Sequence, residues 1–309
     1  MKKRGKIKLF SFGIFILIIS EILNYYPNVL ETTKIDGQYT VCMKKQYDES
    51  ELDEELNNKI NEIDYYIRTN YKASIVYEDA KTSFHYEYNP DTVYYGASLI
   101  KIVEAMYLFD EATVGNINLD SRLTYYSKYV VPYSEGMSKK NIGDEVSLKE
   151  LISYALMYSD NSAHFMLSDY IGKDNIIAYG KKLGAQNILT GEDTFGNQSA
   201  TDTNIYLKHA YEIISSGSEY GKLLKRYMAN THYNSLYLGE KNNVAHKYGW
   251  YQKYYHDIGI VYEEHPYFIS ILTNHGNENF KEIVRDIHKK INELHRLFYE
   301  KRKTICLSQ

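Results

Sequence analysis

The sequence from His256 to Thr273 decides the fold, because it contains the runs His256-Asp-Ile-Gly-Ile-Val-Tyr262 and Tyr267-Phe-Ile-Ser-Ile-Leu-Thr273. Both runs are rich in β-branched and aromatic residues, and Pro266 lies between them. Runs of this kind, separated by a turn residue, predict a pair of β-strands. Near the other end of the chain, residues 73–77 and 84–88 have the same character and predict a second pair.

Helical patterns lie before, between and after these strands. In residues 51–70 the apolar positions recur three and four apart, at Leu52, Leu56, Ile60, Ile63 and Ile67. This spacing predicts an amphipathic helix, as it does in residues 97–112 and 278–302, and residues 147–215 are predicted to be mostly helical. We therefore predict an α/β fold of the α+β sandwich type. One antiparallel sheet is built from both chain ends and covered by the terminal helices, beside a mainly helical middle subdomain.

The composition excludes several classes of protein. The chain has 309 residues, of which 44% are hydrophobic and 25% are charged, which excludes disordered, collagen-like and polytopic membrane proteins. The net charge of −4 gives no basic excess for a nucleic-acid partner. The ten histidines include no H-E-x-x-H pair, so we expect no metal and no cofactor. Whether Cys42 and Cys306 pair with each other is left open.

The charge is concentrated at the N-terminus. Residues 1–30 hold five of the 36 basic residues and one of the 40 acidic ones, and the basic cluster precedes an apolar run from Leu9 to Leu23. This pattern is typical of a signal-anchor with the basic flank inside the cell. We expect residues 1–23 to form the flank and a single-pass anchor in the cell membrane. Residues 24–50 would be a linker, residues 51–303 an extracellular domain and residues 304–309 a tail; whether the anchor is cleaved is left open.

The first motif is Ser98-Leu-Ile-Lys101, at the start of a predicted helix. Residues three apart on a helix share a face. A serine hydroxyl becomes a good nucleophile when a base takes its proton, and a lysine that burial has made less basic can be that base. About two S-x-x-K matches are expected by chance in this composition, so the alternative is an N-cap serine beside a solvated lysine.

The second motif is Ser159-Asp160-Asn161, which interrupts an apolar helical stretch. A serine and an asparagine at this point can relay a proton and hydrogen-bond a substrate amide. The alternative is a helix break at which Ser159 or Asp160 is the N-cap.

The third motif is Lys247-Tyr248-Gly249-Trp250, just before the run that begins at His256. On an inner strand, a lysine followed by a glycine can present a charge while a substrate backbone approaches closely. The alternative is a strand edge with a solvated lysine.

In this order, the three motifs resemble S-x-x-K, S-D-N and K-[ST]-G of the class A β-lactamases and their penicillin-recognising relatives. The similarity covers about residues 51–303. It implies a β-lactamase/transpeptidase-like fold and a serine hydrolase that forms an acyl-enzyme. Its substrate would be a β-lactam or a D-Ala-D-Ala-like peptide, and we expect a monomer.

The resemblance implies four catalytic residues. Ser98 would be the acylated nucleophile and Lys101 its base. Ser159 would pass a proton to the leaving nitrogen. Lys247 would assist Ser159 and attract the substrate carboxylate.

The resemblance also implies the residues that bind substrate. Asn161 would hold the amide carbonyl of the substrate, and Tyr248 and Gly249 would line the groove. The backbone N–H groups of Ser98 and Trp250 would form the oxyanion hole. Asp160 would be structural, fixing the loop.

The sequence departs from the family pattern at two places. Tyr248 replaces a threonine or serine whose small hydroxyl helps to bind the substrate carboxylate. No E-x-x-L-N pattern occurs in residues 161–203, where Glu192 and Asp193 are the acids within reach. Glu192 is a candidate deacylation base, and the alternative is a turn at Gly191-Glu-Asp.

These observations leave three functions to compare. The first is a membrane-anchored β-lactamase-like hydrolase, in which the absence of a loop base predicts slow deacylation. The second is a D,D-carboxypeptidase or transpeptidase that acts on cell-wall peptides. The third is a non-catalytic penicillin-binding, peptide-binding or sensor domain.

Overall fold

The computed structural model describes residues 30–35, 38–43, 54–189, 193–236, 244–275, 279–301 and 305–306. The chain divides into two compact units. One comprises residues 60–292, and the other comprises residues 1–59 with 293–309.

The unit of residues 60–292 contains a five-stranded antiparallel sheet in the order β4-β3-β11-β10-β9. Its strands are β3 (Ala73–Asp79), β4 (His85–Tyr88), β9 (Val244–Tyr251), β10 (Tyr254–Val261) and β11 (Tyr267–Asn274). The prediction of one antiparallel sheet built from both chain ends is confirmed. Strand β9, which carries the third motif, lies at the edge of this sheet, as the alternative interpretation had it, and not inside it, but its Lys247 is buried rather than solvated.

Eight α-helices occur among the described residues. They are α1 (Glu54–Asn70), α2 (Ile100–Thr113), α3 (Leu148–Met157), α4 (Asn161–Ile171), α5 (Lys173–Leu183), α6 (Ala200–Ser215), α7 (Glu219–Ala229) and α8 (Phe280–Lys301). The helices predicted from apolar spacing are confirmed, whereas α7 was not predicted. It begins at a serine N-cap, Ser218, whose side chain accepts the Gly221 N–H at 3.0 Å.

The two faces of the sheet carry different helices. On β11 the ring of Phe268 packs 5.4 Å from that of Tyr211 on α6, while the hydroxyl of Tyr267 lies 2.8 Å from Nε2 of His288 on α8. Consecutive strand residues point to opposite faces. Helix α6 therefore packs on one face, and the part of α8 up to residue 292 packs on the other.

Two short antiparallel pairs complete this unit. Strand β5 (Tyr94–Tyr95) pairs with β8 (Asn197–Gln198), and β6 (Arg122–Thr124) pairs with β7 (Glu145–Ser147). The first pair matters for function, because β5 leads directly into Ser98. The Gly96 N–H also donates to the Gly196 carbonyl at 2.9 Å, which ties the loop before α6 to the segment before α2.

In the other unit, β1 (Leu30–Ile35) and β2 (Gln38–Met43) form an antiparallel pair, and β12 (Ile305–Cys306) adds to β2. Cys306 and Cys42 are partners in that register. Two strands thus lie within the stretch expected to be a linker. The expected anchor, residues 1–23, lies outside the described residues; among the residues that are described, no helix is long and apolar enough to span a membrane.

Candidate active site

Ser98 lies in a single 3₁₀ turn, Ala97–Leu99, immediately before α2. Ala97 has a φ of +47°, in the left-handed region that residues with a Cβ rarely adopt. Strained backbone of this kind persists where the surrounding structure holds it, and it is common at active sites. The turn places the Ser98 Oγ 3.0 Å from the Nζ of Lys101.

Lys101 is fully buried, one helical turn after Ser98. Its Nζ also donates to the Ser159 carbonyl at 2.6 Å and to Oδ1 of Asn161 at 2.8 Å. Burial lowers the pKa of Lys101 to about 7, although the carboxylates of Glu104 and Asp160 oppose this effect. A large share of Lys101 is therefore neutral near pH 7 and able to accept the Ser98 proton.

The second motif begins helix α4. Asp160 is its N-cap, and its oxygens accept the backbone N–H groups of Ala163 and Met137, each at 2.8 Å. This is the structural role expected of Asp160. Ser159 has a φ of +56°, and its hydroxyl lies between two lysines, 2.8 Å from Nζ of Lys247 and 3.4 Å from Nζ of Lys101.

Lys247, on β9, is also fully buried. Its Nζ donates to the Ser159 Oγ and, at 2.7 Å, to the Tyr248 carbonyl. Burial, followed by the nearby charge of Lys101, lowers the pKa of Lys247 well below its ordinary value. Two buried ammonium groups around one hydroxyl disfavour each other, so the arrangement favours a neutral lysine in the cluster.

Gly249 brings β9 against the nucleophile. A Cβ at this position would lie 2.8 Å from the Gly96 carbonyl oxygen and 3.4 Å from the Ser98 nitrogen. The close approach thus requires glycine. The Trp250 side chain is 54% exposed and packs 5.4 Å from Phe280, so the role expected of this residue concerns its backbone.

Tyr248 points into the site. Its side chain is only 8% exposed, and its ring centroid lies 4.2 Å from Nζ of Lys247 and 5.5 Å from the ring of Tyr233. Burial raises the pKa of Tyr248 to about 12, although a hydrogen bond to the Ser159 side chain opposes this. The phenol therefore fills space beside Ser159, where the family pattern has a small hydroxyl.

The loop before α6 presents an aromatic ring to Lys101. The centroid of Phe195 lies 5.7 Å from Nζ of Lys101, and Oδ1 of Asp193 accepts the Phe195 N–H at 2.9 Å. The Asp193 carboxylate thus binds the backbone two residues further along, while most of the turn expected at Gly191-Glu-Asp lies outside the described residues. Glu192, the candidate deacylation base, lies outside the described residues. Within the described ranges, no carboxylate forms a hydrogen bond with Lys101.

Two buried histidine–carboxylate pairs beside the site were not predicted. Glu104 and His164 are 2.9 Å apart, and His246 lies 2.7 Å from Asp257. All four side chains are almost fully buried. Glu104 follows Lys101 by three positions, so helical spacing alone could have indicated this residue.

Together, the five-stranded sheet, the helical segment and the Ser–Lys–Ser–Lys cluster define a serine acyl-transfer enzyme. Residues 54–294 match the model of the Beta-lactamase enzyme family. The chain belongs to this family and is a β-lactamase-like serine hydrolase. The predicted family and fold are thereby confirmed.

Known proteins are similar to the chain over different lengths. A β-lactamase of Bacillus licheniformis is 31% identical over 101 residues, which span 33% of this chain and about a third, 32%, of that protein. The structure of PBP-A has a TM-score of 0.69 at 18% identity, covering 78% of this chain and 97% of that one. A β-lactamase from Sphaerobacter thermophilus gives 0.69 at 16% identity over 78% and 97%. These structures share the fold.

Proposed function

We propose that this protein is a membrane-anchored, extracytoplasmic serine hydrolase of the class A β-lactamase type, which forms an acyl-enzyme on Ser98 with a β-lactam. The observation that carries the proposal is the 3.0 Å contact between the Ser98 Oγ and a fully buried Lys101 whose pKa is about 7. A nucleophile in contact with a base that is partly neutral at working pH is the central requirement of acyl transfer.

The acylation step follows from the hydrogen bonds. Neutral Lys101 takes the proton of the Ser98 hydroxyl, and the Ser98 Oγ forms a bond to the carbonyl carbon of the substrate. The C–N bond then breaks, and the leaving nitrogen takes the proton of the Ser159 hydroxyl. Ser159 regains a proton from the lysines that contact it, at 2.8 Å from Lys247 and 3.4 Å from Lys101. With a β-lactam, the product is an ester of Ser98 whose acyl group still carries the amine of the opened ring.

We propose that hydrolysis of this ester is slow. A water molecule needs a base to attack it, and the loop side of Lys101 carries the Phe195 ring. The carboxylate of Asp193 accepts a backbone N–H of its own turn. A variant of PBP-A has been captured as its acyl-enzyme complex with penicillin G, which supports a persistent ester in this fold.

The same observation favours a second candidate, a D,D-carboxypeptidase or transpeptidase on cell-wall peptides. Because the Phe195 ring takes the place of a base for water, the ester persists long enough for an amine acceptor to attack it instead. In this reading the enzyme would be labelled by penicillin but would process D-Ala-D-Ala-like peptides faster than β-lactams.

The test is labelling of the full chain with a fluorescent penicillin, followed by nitrocefin turnover. We expect a burst of one product per enzyme and then a slow steady rate. Ser98→Ala should abolish the labelling, whereas Ser138→Ala, which changes an exposed serine, should retain it. Rapid turnover without a burst would contradict slow deacylation, and the absence of labelling in the unmodified protein would contradict the acyl-enzyme.

We also propose that residues 1–23 anchor a monomer whose domain of residues 51–303 faces outward. The basic flank and the apolar run from Leu9 to Leu23 support this topology. The full chain should stay in the membrane after a carbonate wash, and external protease should digest the domain in intact spheroplasts. Release by carbonate, or protection from the protease, would reject it; sedimentation in detergent tests the monomer.

A further inference from the structure

Two side-chain bridges connect helices α2 and α4, one helical turn apart. The first joins Lys101 to Asn161, with a distance of 2.8 Å from Nζ to Oδ1. The second joins Glu104 to His164, where Nδ1 lies 2.9 Å from both carboxylate oxygens. Because both bridges use residues three apart on each helix, they lie on the same helical faces.

The second bridge is shielded from water. Glu104 and His164 are both fully buried, and Nε2 of His164 has no hydrogen-bond partner among the described residues. The centroid of the Phe195 ring lies 4.6 Å from that of the His164 ring, with the two rings tilted by 34°, and 5.7 Å from Nζ of Lys101. One aromatic ring thus covers both the lysine and the pair, and a buried carboxylate in such surroundings interacts strongly with a nearby cation.

We propose that Glu104, oriented by His164, is a positioning residue that stabilises the protonated form of Lys101 once this lysine has taken the Ser98 proton. This inference rests on the proposed function in one respect, namely that the proton which Lys101 takes up comes from Ser98. The pair acts through Lys101 and does not touch the substrate. It places a carboxylate one helical turn beyond the base, on the helix that carries Lys101 rather than on the loop.

Of the charged groups around Lys101, Glu104 is the one best placed to stabilise the protonated lysine. The charged groups that act on this lysine are Glu104 on its own helix, Asp160 at the N-cap of α4, and Lys247 on β9. His164 and Tyr248 lie one contact further away, against Glu104 and Lys247 respectively. Burial is the main cause of the lowered pKa of Lys101, and Glu104 precedes Asp160 among the charges that oppose it. The oxygens of Asp160 already accept two backbone N–H groups.

The direct test is a ¹³C NMR titration of lysine side chains in the full protein, with the Lys101 resonance assigned by its loss in Lys101→Arg. Glu104→Gln keeps the size of the side chain but removes the charge, and it should lower the pKa of Lys101 by about one unit. The matched control is Asp110→Asn, because Asp110 lies on the same helix and is also bonded to a histidine, His209, at 2.7 Å. The control should leave the Lys101 titration unchanged.

A second readout is the pH dependence of penicillin labelling. The pH at which labelling falls off on the acid side should decrease in Glu104→Gln by as much as the pKa of Lys101 does. In Asp110→Asn this pH should be unchanged. If Glu104→Gln does not fold, Glu104→Gln/His164→Gln replaces the pair by two amides and should give the same shift. An unchanged Lys101 titration in the folded variant would overturn the inference. A shifted titration in a protein that penicillin does not label would instead overturn the proposed function.

Discussion

The two sides of the site differ in how completely they are built. The acylation side consists of Ser98, Lys101, Ser159, Asn161 and Lys247, whose polar atoms form a continuous hydrogen-bonded cluster. The loop side, residues 193–198, presents the Phe195 ring to that cluster and uses Asp193 in its own turn. The groups proposed to form the acyl-enzyme are assembled, whereas no carboxylate of the described loop residues forms a hydrogen bond with Lys101.

This difference follows from the elements that carry each side. The acylation residues lie at the starts of α2 and α4 and on β9. The Asp160 N-cap fixes the backbone at α4, and strand pairing fixes it on β9. The loop side lies in the connection between α5 and α6, which is attached to the Ser98 segment by β5–β8 and by the Gly96–Gly196 hydrogen bond. This connection places the Phe195 ring over the buried Lys101.

The largest expected effect is on the rate of acylation, when Lys101 is replaced. Lys101→Met keeps the length of the side chain and removes the base, so labelling by fluorescent penicillin should slow about 10³-fold. The rate is measured by stopped-flow fluorescence. Lys149→Met is the control, because Lys149 contacts Glu219 at 3.5 Å on the surface. Labelling of Lys101→Met at a rate near that of the unmodified enzyme would remove Lys101 as the base.

The next effect concerns the stability of the loop side. His256 holds β5, because its Nε2 donates to the Tyr95 carbonyl at 2.8 Å while its Nδ1 accepts the Thr273 N–H at 3.1 Å. Burial lowers the pKa of His256 from 6.5 to about 4. Between pH 6.5 and pH 4, His256 is therefore mostly protonated in the unfolded chain and mostly neutral in the folded chain. The free energy of unfolding should fall by about 3 kcal/mol as the pH drops from 6.5 to 4.

Urea unfolding across this pH range checks that loss, with His256→Asn expected to flatten it. The comparison residue is His209, whose pKa is raised by its hydrogen bond to Asp110. Its contribution to stability is complete below pH 6.5 and is lost as the pH rises through the raised pKa, so His209→Asn should leave the acid-side loss in place. Equal acid-side losses in the unmodified protein and His256→Asn would contradict the assignment to His256.

A third change adds to the loop side what it lacks. Phe195→Glu places a carboxylate near Lys101 and should speed hydrolysis of the penicillin ester about tenfold, because it supplies a base for water. The measurement is the recovery of free enzyme after labelling. Phe195→Gln has the same length without the charge and should not speed it. Equal acceleration by both variants would show that room for water, rather than a base, limits deacylation.

Each motif of the acylation side could be recognised in the sequence because its own residues are close together in the chain, although the three motifs meet only in the fold. Ser98 and Lys101 share a helical face, and Asp160 follows the N-cap pattern. The sheet was predictable for the same reason, since runs of β-branched and aromatic residues indicate strands directly.

What could not be predicted depends on contacts between distant elements. His164 meets Glu104 across 60 positions, and the position of Phe195 over Lys101 depends on how the loop returns to β5. The edge position of β9 is a property of strand order, which local composition does not encode. The Glu104–His164 pair therefore forms only when α2 and α4 are packed together, and the His246–Asp257 pair only when β9 and β10 are paired.

The smallest expected effect concerns Tyr248, whose ring lies beside Ser159 and Lys247. Tyr248→Thr restores a small hydroxyl beside Ser159 and clears the phenol from the groove. A single added hydrogen bond to a carboxylate is worth about 1 kcal/mol, so labelling by a penicillin should quicken about fivefold. The methyl ester of the same penicillin lacks the charged carboxylate and should gain nothing. Tyr251→Thr is the control on the same strand, since that tyrosine is exposed. If acid and ester gain equally, Tyr248 limits the site by bulk alone, and carboxylate recognition lies with the acylation side.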